Sequence, residues 1–115
     1  MKKLPQRGDV WWAYLDPTVG HEQLGRRPVV IISADEYQAA ETELVLIILL
    51  TSTHRSFPSR VPIVPPDGGL TSPSDILIDQ LRAISTTRLG KRIGSLKPAT
   101  LWVISQRLRL LLDLD

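Results

Sequence analysis

The 115-residue chain is long enough for one hydrophobic core and too short for two, so residues 1–115 are expected to form a single domain. Its 43% hydrophobic and 23% charged residues match an ordinary globular protein and argue against disorder. Without cysteine there is neither a disulfide framework nor a thiolate metal site, and a net charge of +2 selects no partner by itself.

Residues 8–16, rich in Val, Trp and Tyr, read as a first strand, ended by Pro17. The polar stretch that follows, with Gly20 and Gly25, reads as a loop. Pro28 cannot donate to a ladder, so it is expected at the mouth of a second strand over 29–33. Residues 35–40 can form a short helix. The run 44–51 is apolar on both faces, the pattern of a central strand buried from two sides. Residues 60–64 form another strand between Pro58 and Pro65-Pro66, Gly68-Gly69 makes a turn, and the β-branched stretch 76–84 is a further strand. Pro98 suits the first turn of a helix. After it, Leu101, Ile104, Leu108 and Leu111 recur at helical spacing as one apolar stripe. Strands first and one helix last predict a mainly β fold: a small, strongly curved antiparallel sheet or SH3-like barrel with a C-terminal helix packed on it.

The longest apolar run, residues 44–50, is far shorter than the roughly 20 residues a membrane helix needs, so no membrane association is expected. Lys2 and Lys3 are not followed by an apolar stretch, which argues against a signal peptide. A cytoplasmic location follows as the expectation. Charge is unevenly spread. Residues 1–50 carry five Lys/Arg and seven Asp/Glu, whereas residues 51–115 carry nine and five. Between Gln80 and Leu112 there is no acid, only Arg82, Arg88, Lys91, Arg92, Lys97, Arg107 and Arg109. A one-sided basic stretch suits a polyanion, of which nucleic acid is the commonest, although a solvated surface has the same composition.

His21 and His54 have no metal-ligand spacing with carboxylates or with each other, and neither a glycine-rich phosphate loop nor a Gly-x-Ser-x-Gly elbow is present. An enzyme built from this sequence is therefore expected to work without metal or cofactor, using Arg, His, Thr, Ser and backbone donors. Gly25-Arg26-Arg27-Pro28 opens one predicted strand and Leu50-Thr51-Ser52-Thr53 closes the next, which places a guanidinium and a hydroxyl at neighbouring strand ends. Metal-free RNA cleavage needs such a pair. The neighbouring 2′-hydroxyl attacks phosphorus, and the site must stabilise charge on the phosphoryl oxygens and protonate the leaving 5′-oxygen. The planar guanidinium fork bonds two phosphate oxygens at once. Each motif alone has a plainer reading, a surface arginine and a turn whose hydroxyls bond nearby backbone.

These motifs occur in a longer pattern: Arg7-Gly8-Asp9-Val10-Trp11-Trp12, Leu15-Asp16-Pro17, Gly20-His21-Glu22-Gln23 and Arg27-Pro28-Val29-Val30-Ile31-Ile32-Ser33. It resembles the MazF/PemK family of ribonuclease toxins over nearly the whole chain, from Arg7 through the last helix. The resemblance implies a MazF/CcdB-like fold and an endoribonuclease that leaves 2′,3′-cyclic or 3′-phosphate and 5′-hydroxyl ends. It implies that Arg27 and Thr51 are catalytic, with Leu50 standing where many members have proline. Arg26 is an implied contact for phosphate or antitoxin and Ser52 an implied substrate contact, Gly20, His21, Glu22 and Gln23 form a flap over the substrate, and Gln80 and Arg82 belong to a second substrate-facing strand. Arg82 has the alternative of pairing with Asp79 or Asp75. Trp11 and Trp12 face opposite ways on a strand, and packing in the core and a dimer interface is expected for both.

The implied partners are single-stranded RNA, a cognate antitoxin and a second copy of the chain in a homodimer. Two other readings share the fold. A gyrase poison of the CcdB type is a binder that acts through an aromatic-Gly-Ile C-terminus, whereas this chain ends Leu112-Asp113-Leu114-Asp115. The other is a non-catalytic RNA-binding barrel.

Overall fold

The computed structural model describes residues 4–15 and 25–115. Six strands form one antiparallel sheet: β1 (Asp9–Tyr14), β2 (Arg26–Ile31), β3 (Leu44–Thr51), β4 (Arg60–Ile63), β5 (Ser74–Ser85) and β6 (Leu89–Ser95). A short helix α1 (Asp35–Ala39) joins β2 to β3, and α2 (Pro98–Leu111) follows β6. The strand order is β4-β5-β3-β2-β1-β6. The sheet curls as the barrel reading expects but does not close, since β4 and β6 remain as edges.

Strand β3 lies inside the sheet between β2 and β5, and its side chains divide by parity between two cores. Ile48 and Leu50 join Val10, Val30, Ile76 and Ile104 on the face that α2 covers. Val45 and Ile47 join Ala13, Val29, Ile31 and Ile84 on the other. A strand buried on both faces cannot tolerate polar alternation, which is why 44–51 reads as an unbroken apolar run.

Strand β5 supplies the curvature. Its register with β3 passes from Leu50↔Ile76 to Ile48↔Leu81, so two steps along β3 are met by five along β5. The bulge bends the long strand, letting Ser74–Leu77 pair with β4 while Leu81–Ser85 continues along β3. The strand therefore runs beyond the expected 76–84 at both ends. Strand β6 was not expected from composition at all. Gly90, Lys91, Arg92 and Gly94 have poor strand propensity, and it pairs only with β1, across two register shifts.

A tight turn at Asp67–Gly69 seats against β6. Gly69 has φ +75°, and a Cβ there would lie 2.5 Å from the Ile93 carbonyl oxygen. A Cβ on Gly94 would lie 2.7 Å from the Gly68 oxygen. Two backbones thus meet without side chains between them, which only glycine permits. The same turn anchors α2. The buried Asp67 carboxylate accepts the Lys97 N–H at 2.9 Å and the Thr100 hydroxyl, satisfying donors at the helix start that Lys97 itself does not cap.

The apolar stripe of α2 is shorter than its spacing suggests. Ile104 is fully buried and Val103 and Leu108 pack beside it, whereas Leu111 is half exposed because the helix end runs past the sheet. Replacing Ile104 by Ala is expected to destabilise the fold by about 2–5 kcal/mol, since it opens a cavity between α2 and the sheet. Urea unfolding with an unchanged slope is the measurement, and a loss below ~0.5 kcal/mol means that α2 is not docked as described.

A cationic cleft across two strand ends

Proline decides where the cleft forms. Pro28 is not at the mouth of its strand as expected but its third residue, paired with Trp12 of β1. On the other side the β2–β3 ladder stops at Val29↔Leu49. The Ile32 N–H donates to the Leu46 carbonyl, and alternate pairs of an antiparallel ladder exchange such bonds. Counting by twos, Pro28 stands opposite Leu50 at a position where an amide would donate to the Leu50 oxygen. Proline has no N–H. The Arg27 Nη2 takes the place, donating to the Leu50 carbonyl at 3.1 Å. Arg27 thereby reaches the carbonyl of the residue before Thr51, and both singled-out residues line one cleft.

Around them is a cleft of about 600 Å³, lined among others by Trp12, Arg26, Arg27, Thr51, Ser52 and Gly69. Among the described residues its charged lining is Arg26 and Arg27, with no acid. The Arg26 guanidinium lies 3.9 Å over the Trp12 ring, a cation–π contact that stiffens it without consuming its hydrogen-bond donors. Arg27 spends one N–H on Leu50, and a guanidinium has five. The Thr51 Oγ1 accepts the Thr53 N–H at 3.2 Å, the expected turn bond, and its own O–H stays available to donate. The cleft is thus a set of fixed donors around a positive centre, suited to a phosphodiester.

Four of the singled-out positions, Gly20, His21, Glu22 and Gln23, lie outside the described residues. The chain around them is pinned at its base, where the Leu15 N–H donates to the Gly25 carbonyl at 3.0 Å. Gln80, within the bulge of β5, and Arg82, just past it, are exposed and do not line the cleft. Arg82 pairs in register with Ile47, four residues from Thr51, or about 13 Å along β3. None of the basic residues between Arg82 and Arg109 lines it either. Several are structural: Arg88 donates to the Tyr14 and Leu15 carbonyls, Arg107 to that of Pro58, and Arg92 pairs with Asp9.

Two residues of consequence were missed by sequence reasoning. Trp12 stands in the cleft, not in the core, while Trp11 packs against buried residues and donates its indole N–H to Asp9. The strand parity that separates them was legible. Asp75 is the other, opposite Thr51 on β5 and only 1% exposed. Instead of meeting Arg82, its carboxylate accepts from His54 Nδ1 at 2.9 Å, the Arg55 N–H at 3.0 Å and Arg60 at 3.3 Å. It therefore fastens the segment after Thr51. His54 is occupied in that contact and does not line the cleft. Among the described residues no group of His, Asp or Glu is arranged to hold a metal ion, and no helix is long and apolar enough to cross a membrane.

Residues 6–112 match the sequence model of the PemK-like, MazF-like toxin of type II toxin-antitoxin system. The chain is 34% identical over 110 residues to "Endoribonuclease EndoA" of Bacillus subtilis, covering 95% of each sequence. It is 32% identical over 114 residues to "Endoribonuclease MazF9" of Mycobacterium tuberculosis, covering 95% of this chain and 97% of that protein. Its fold superposes with a TM-score of 0.77, at 29% identity, on "Endoribonuclease in complex with its cognate antitoxin from Mycobacterial species", covering 96% and 97% of the two chains. With "MazF (Form-I) from Deinococcus radiodurans" the TM-score is 0.80 at 26% identity, covering 98% of this chain and all of that one.

Burial alone would raise the pKa of Asp75, but the bonds from His54, the Arg55 N–H and Arg60 outweigh it and hold the carboxyl below the usual carboxylate value. A group whose pKa is lowered on folding contributes stability above its unfolded value, near 4, and loses it as pH falls through the folded one. Asp75→Asn is therefore expected to cost about 1–3 kcal/mol at neutral pH. The difference from the parent should shrink as pH drops below about 4. Denaturant titrations at a series of pH values check this, and a pH-independent difference would remove the carboxylate from the account.

Proposed function

Because the chain belongs to the PemK-like, MazF-like toxin family of type II toxin–antitoxin systems, we propose that it is an endoribonuclease toxin that cuts single-stranded mRNA and so arrests translation and growth. The observation that carries this reading is the single cleft into which β2 and β3 bring Arg26, Arg27, Thr51 and Ser52. Endoribonuclease names on relatives that match nearly end to end favour it over a gyrase-binding protein or a non-catalytic barrel. Residues 1–115 act as one toxin domain, in the cytoplasm where mRNA is found.

In the proposed reaction the scissile phosphate lies between Arg27 and Thr51. The adjacent 2′-hydroxyl gives up its proton to solvent water as its oxygen bonds to phosphorus, and the bond to the 5′-oxygen breaks with that oxygen taking a proton from water, giving a 2′,3′-cyclic phosphate and a 5′-hydroxyl. Negative charge grows on the non-bridging oxygens. Arg27, already held by the Leu50 carbonyl, meets that charge with its remaining N–H groups, and the Thr51 hydroxyl donates to the same oxygens. A guanidinium keeps its protons and is a poor base, so Arg27 acts as charge stabiliser and as a hydrogen-bond donor to the leaving oxygen. Arg26 over Trp12, with Ser52, holds a flanking phosphate or base, while Gly20, His21, Glu22, Gln23, Gln80 and Arg82 complete the substrate contacts.

Cleavage is expected to persist in EDTA. Arg27→Ala and Thr51→Ala should each lower it by about a hundredfold or more. Thr51 ends its strand outside the cores, so Thr51→Ala should leave folding little changed. Arg27→Ala also removes the donor to the Leu50 carbonyl and is expected to cost about 1–3 kcal/mol of stability, which denaturant unfolding measures separately from turnover. Mapping the ends cut in a mixed-sequence RNA tests all three points. Activity that vanishes in EDTA and returns with magnesium defeats the metal-free chemistry, and near-normal turnover by Arg27→Ala defeats the site.

The proposed working unit is a homodimer, with RNA and an acidic antitoxin segment competing for a groove along the shared interface. Exposed Trp102, Leu110, Leu111 and Leu112 on and after α2 supply apolar surface beyond what one small core uses. Sedimentation at micromolar concentration should give about twice the chain mass. A monomer that cleaves at full rate excludes the shared groove.

A further inference from the structure

Strand β3 ends at Thr51, so whatever holds the residues after it decides where the Thr51 hydroxyl points. Residues 52–59 lie in neither strand nor helix, and no ladder holds them. Side chains do that instead. Thr51 Oγ1 accepts the Thr53 N–H at 3.2 Å, which ties the direction of the hydroxyl to the position of Thr53. The Thr53 carbonyl accepts Arg60 Nη1 at 2.8 Å, and the same nitrogen reaches the Asp75 carboxylate at 3.3 Å. His54 donates Nδ1 to the two Asp75 oxygens, at 2.9 and 3.1 Å, and the Arg55 N–H adds a bond at 3.0 Å. Three successive residues are thus fastened to one carboxylate, Thr53 through Arg60 and the other two directly.

Asp75 is a fixed anchor. Its backbone pairs with Thr51 on one side and Pro62 on the other, and its side chain is buried. The bonds therefore close a ring, from Thr51 through the turn to Asp75 and back to Thr51 across the β3–β5 ladder. Within that ring His54 is the member least built into the fold. Its side chain is 63% exposed, against 17% for Arg60. An ionised carboxylate only accepts, so Nδ1 carries the proton whether the imidazole is neutral or charged. The contact asks for a donor at one ring position and not for a positive charge.

We infer that His54 is a positioning residue for RNA cleavage: by donating Nδ1 to Asp75 it holds the turn that aims the Thr51 hydroxyl into the cleft. The inference rests on the reading of Arg27 and Thr51 as the cleaving pair. Arg26 and Arg27 grip the RNA and take no part in this ring of bonds. Loosening the turn therefore slows the chemical step and spares binding.

The test uses the full chain and a short RNA containing one cut site mapped with the parent. His54→Ala is expected to lower kcat by about tenfold while KM stays within about twofold. Two amide replacements then locate the atom responsible, since Asn places its side-chain nitrogen where Nδ1 was and Gln where Nε2 was. His54→Asn should restore kcat to within about threefold of the parent, and His54→Gln should not. Nitrogen-15 relaxation gives a readout independent of RNA. The amide order parameters of Thr53 and Arg55, about 0.85 in the parent, should fall below about 0.7 in His54→Ala and recover in His54→Asn. Full activity of His54→Ala, rescue by Gln in place of Asn, a raised KM with unchanged kcat, or unchanged order parameters would each overturn the assignment. A parent that leaves RNA intact defeats the endoribonuclease reading instead, and the order parameters alone then decide whether His54 holds the turn.

Discussion

A strand buried on both faces must have its backbone donors and acceptors satisfied within the protein, and that requirement on β3 organises the molecule. Neighbours β2 and β5 provide the ladders, and the two cores collect on either side according to side-chain parity. At Leu50 the ladder cannot supply a donor, because Pro28 stands opposite. The Arg27 side chain completes the ladder where the backbone cannot. A residue proposed for catalysis is therefore held by the same demand that holds the sheet together.

The arginines show how the chain separates structural cations from available ones. Arg88 closes the start of the loop after β1 by donating to two carbonyls, and Arg107 ties α2 to the segment before β4. Arg60 bridges the Thr53 carbonyl and Asp75. Arg92 pairs with the buried Asp9. Each is fixed by bonds to backbone carbonyls or a buried carboxylate at places away from the cleft. Among the described residues Arg26 and Arg27 are held by a ring face and a single carbonyl, which restricts their motion while most of their donors face the cleft. Preorganised charge of that kind serves a transition state better than a larger number of mobile lysines.

The apolar run of β3, the helical spacing after Pro98 and the paired Arg-Pro and Thr-Ser motifs were legible because each reports a local rule: burial, periodicity and strand-end chemistry. Three features were not. β6 is a strand through its pairing with β1, despite glycines and lysine that disfavour the state. Pro28 lies within its strand because Arg27 replaces the missing donor, a compensation visible only once register is known. Asp75 is buried because His54, Arg55 and Arg60 converge from more than a dozen residues away. The long basic stretch illustrates the reverse case: its composition suggests a polyanion surface, yet tertiary bonds absorb several of its members.

An open sheet leaves two rows of unpaired backbone groups, and each is a template on which another chain can add a strand. At one margin β4 has only four residues, and its Pro62 supplies no donor. At the other, the turn at Asp67–Gly69 lies against Ile93 and Gly94, backbone to backbone, and occupies the space an incoming strand needs. The glycines at this seam thereby act as guards against polymerisation, a duty distinct from turning the chain. Enlarging Gly69 would lift the turn and bare the margin of β6, so misassembly into fibrous aggregates would be a separate cost from any loss of folding stability.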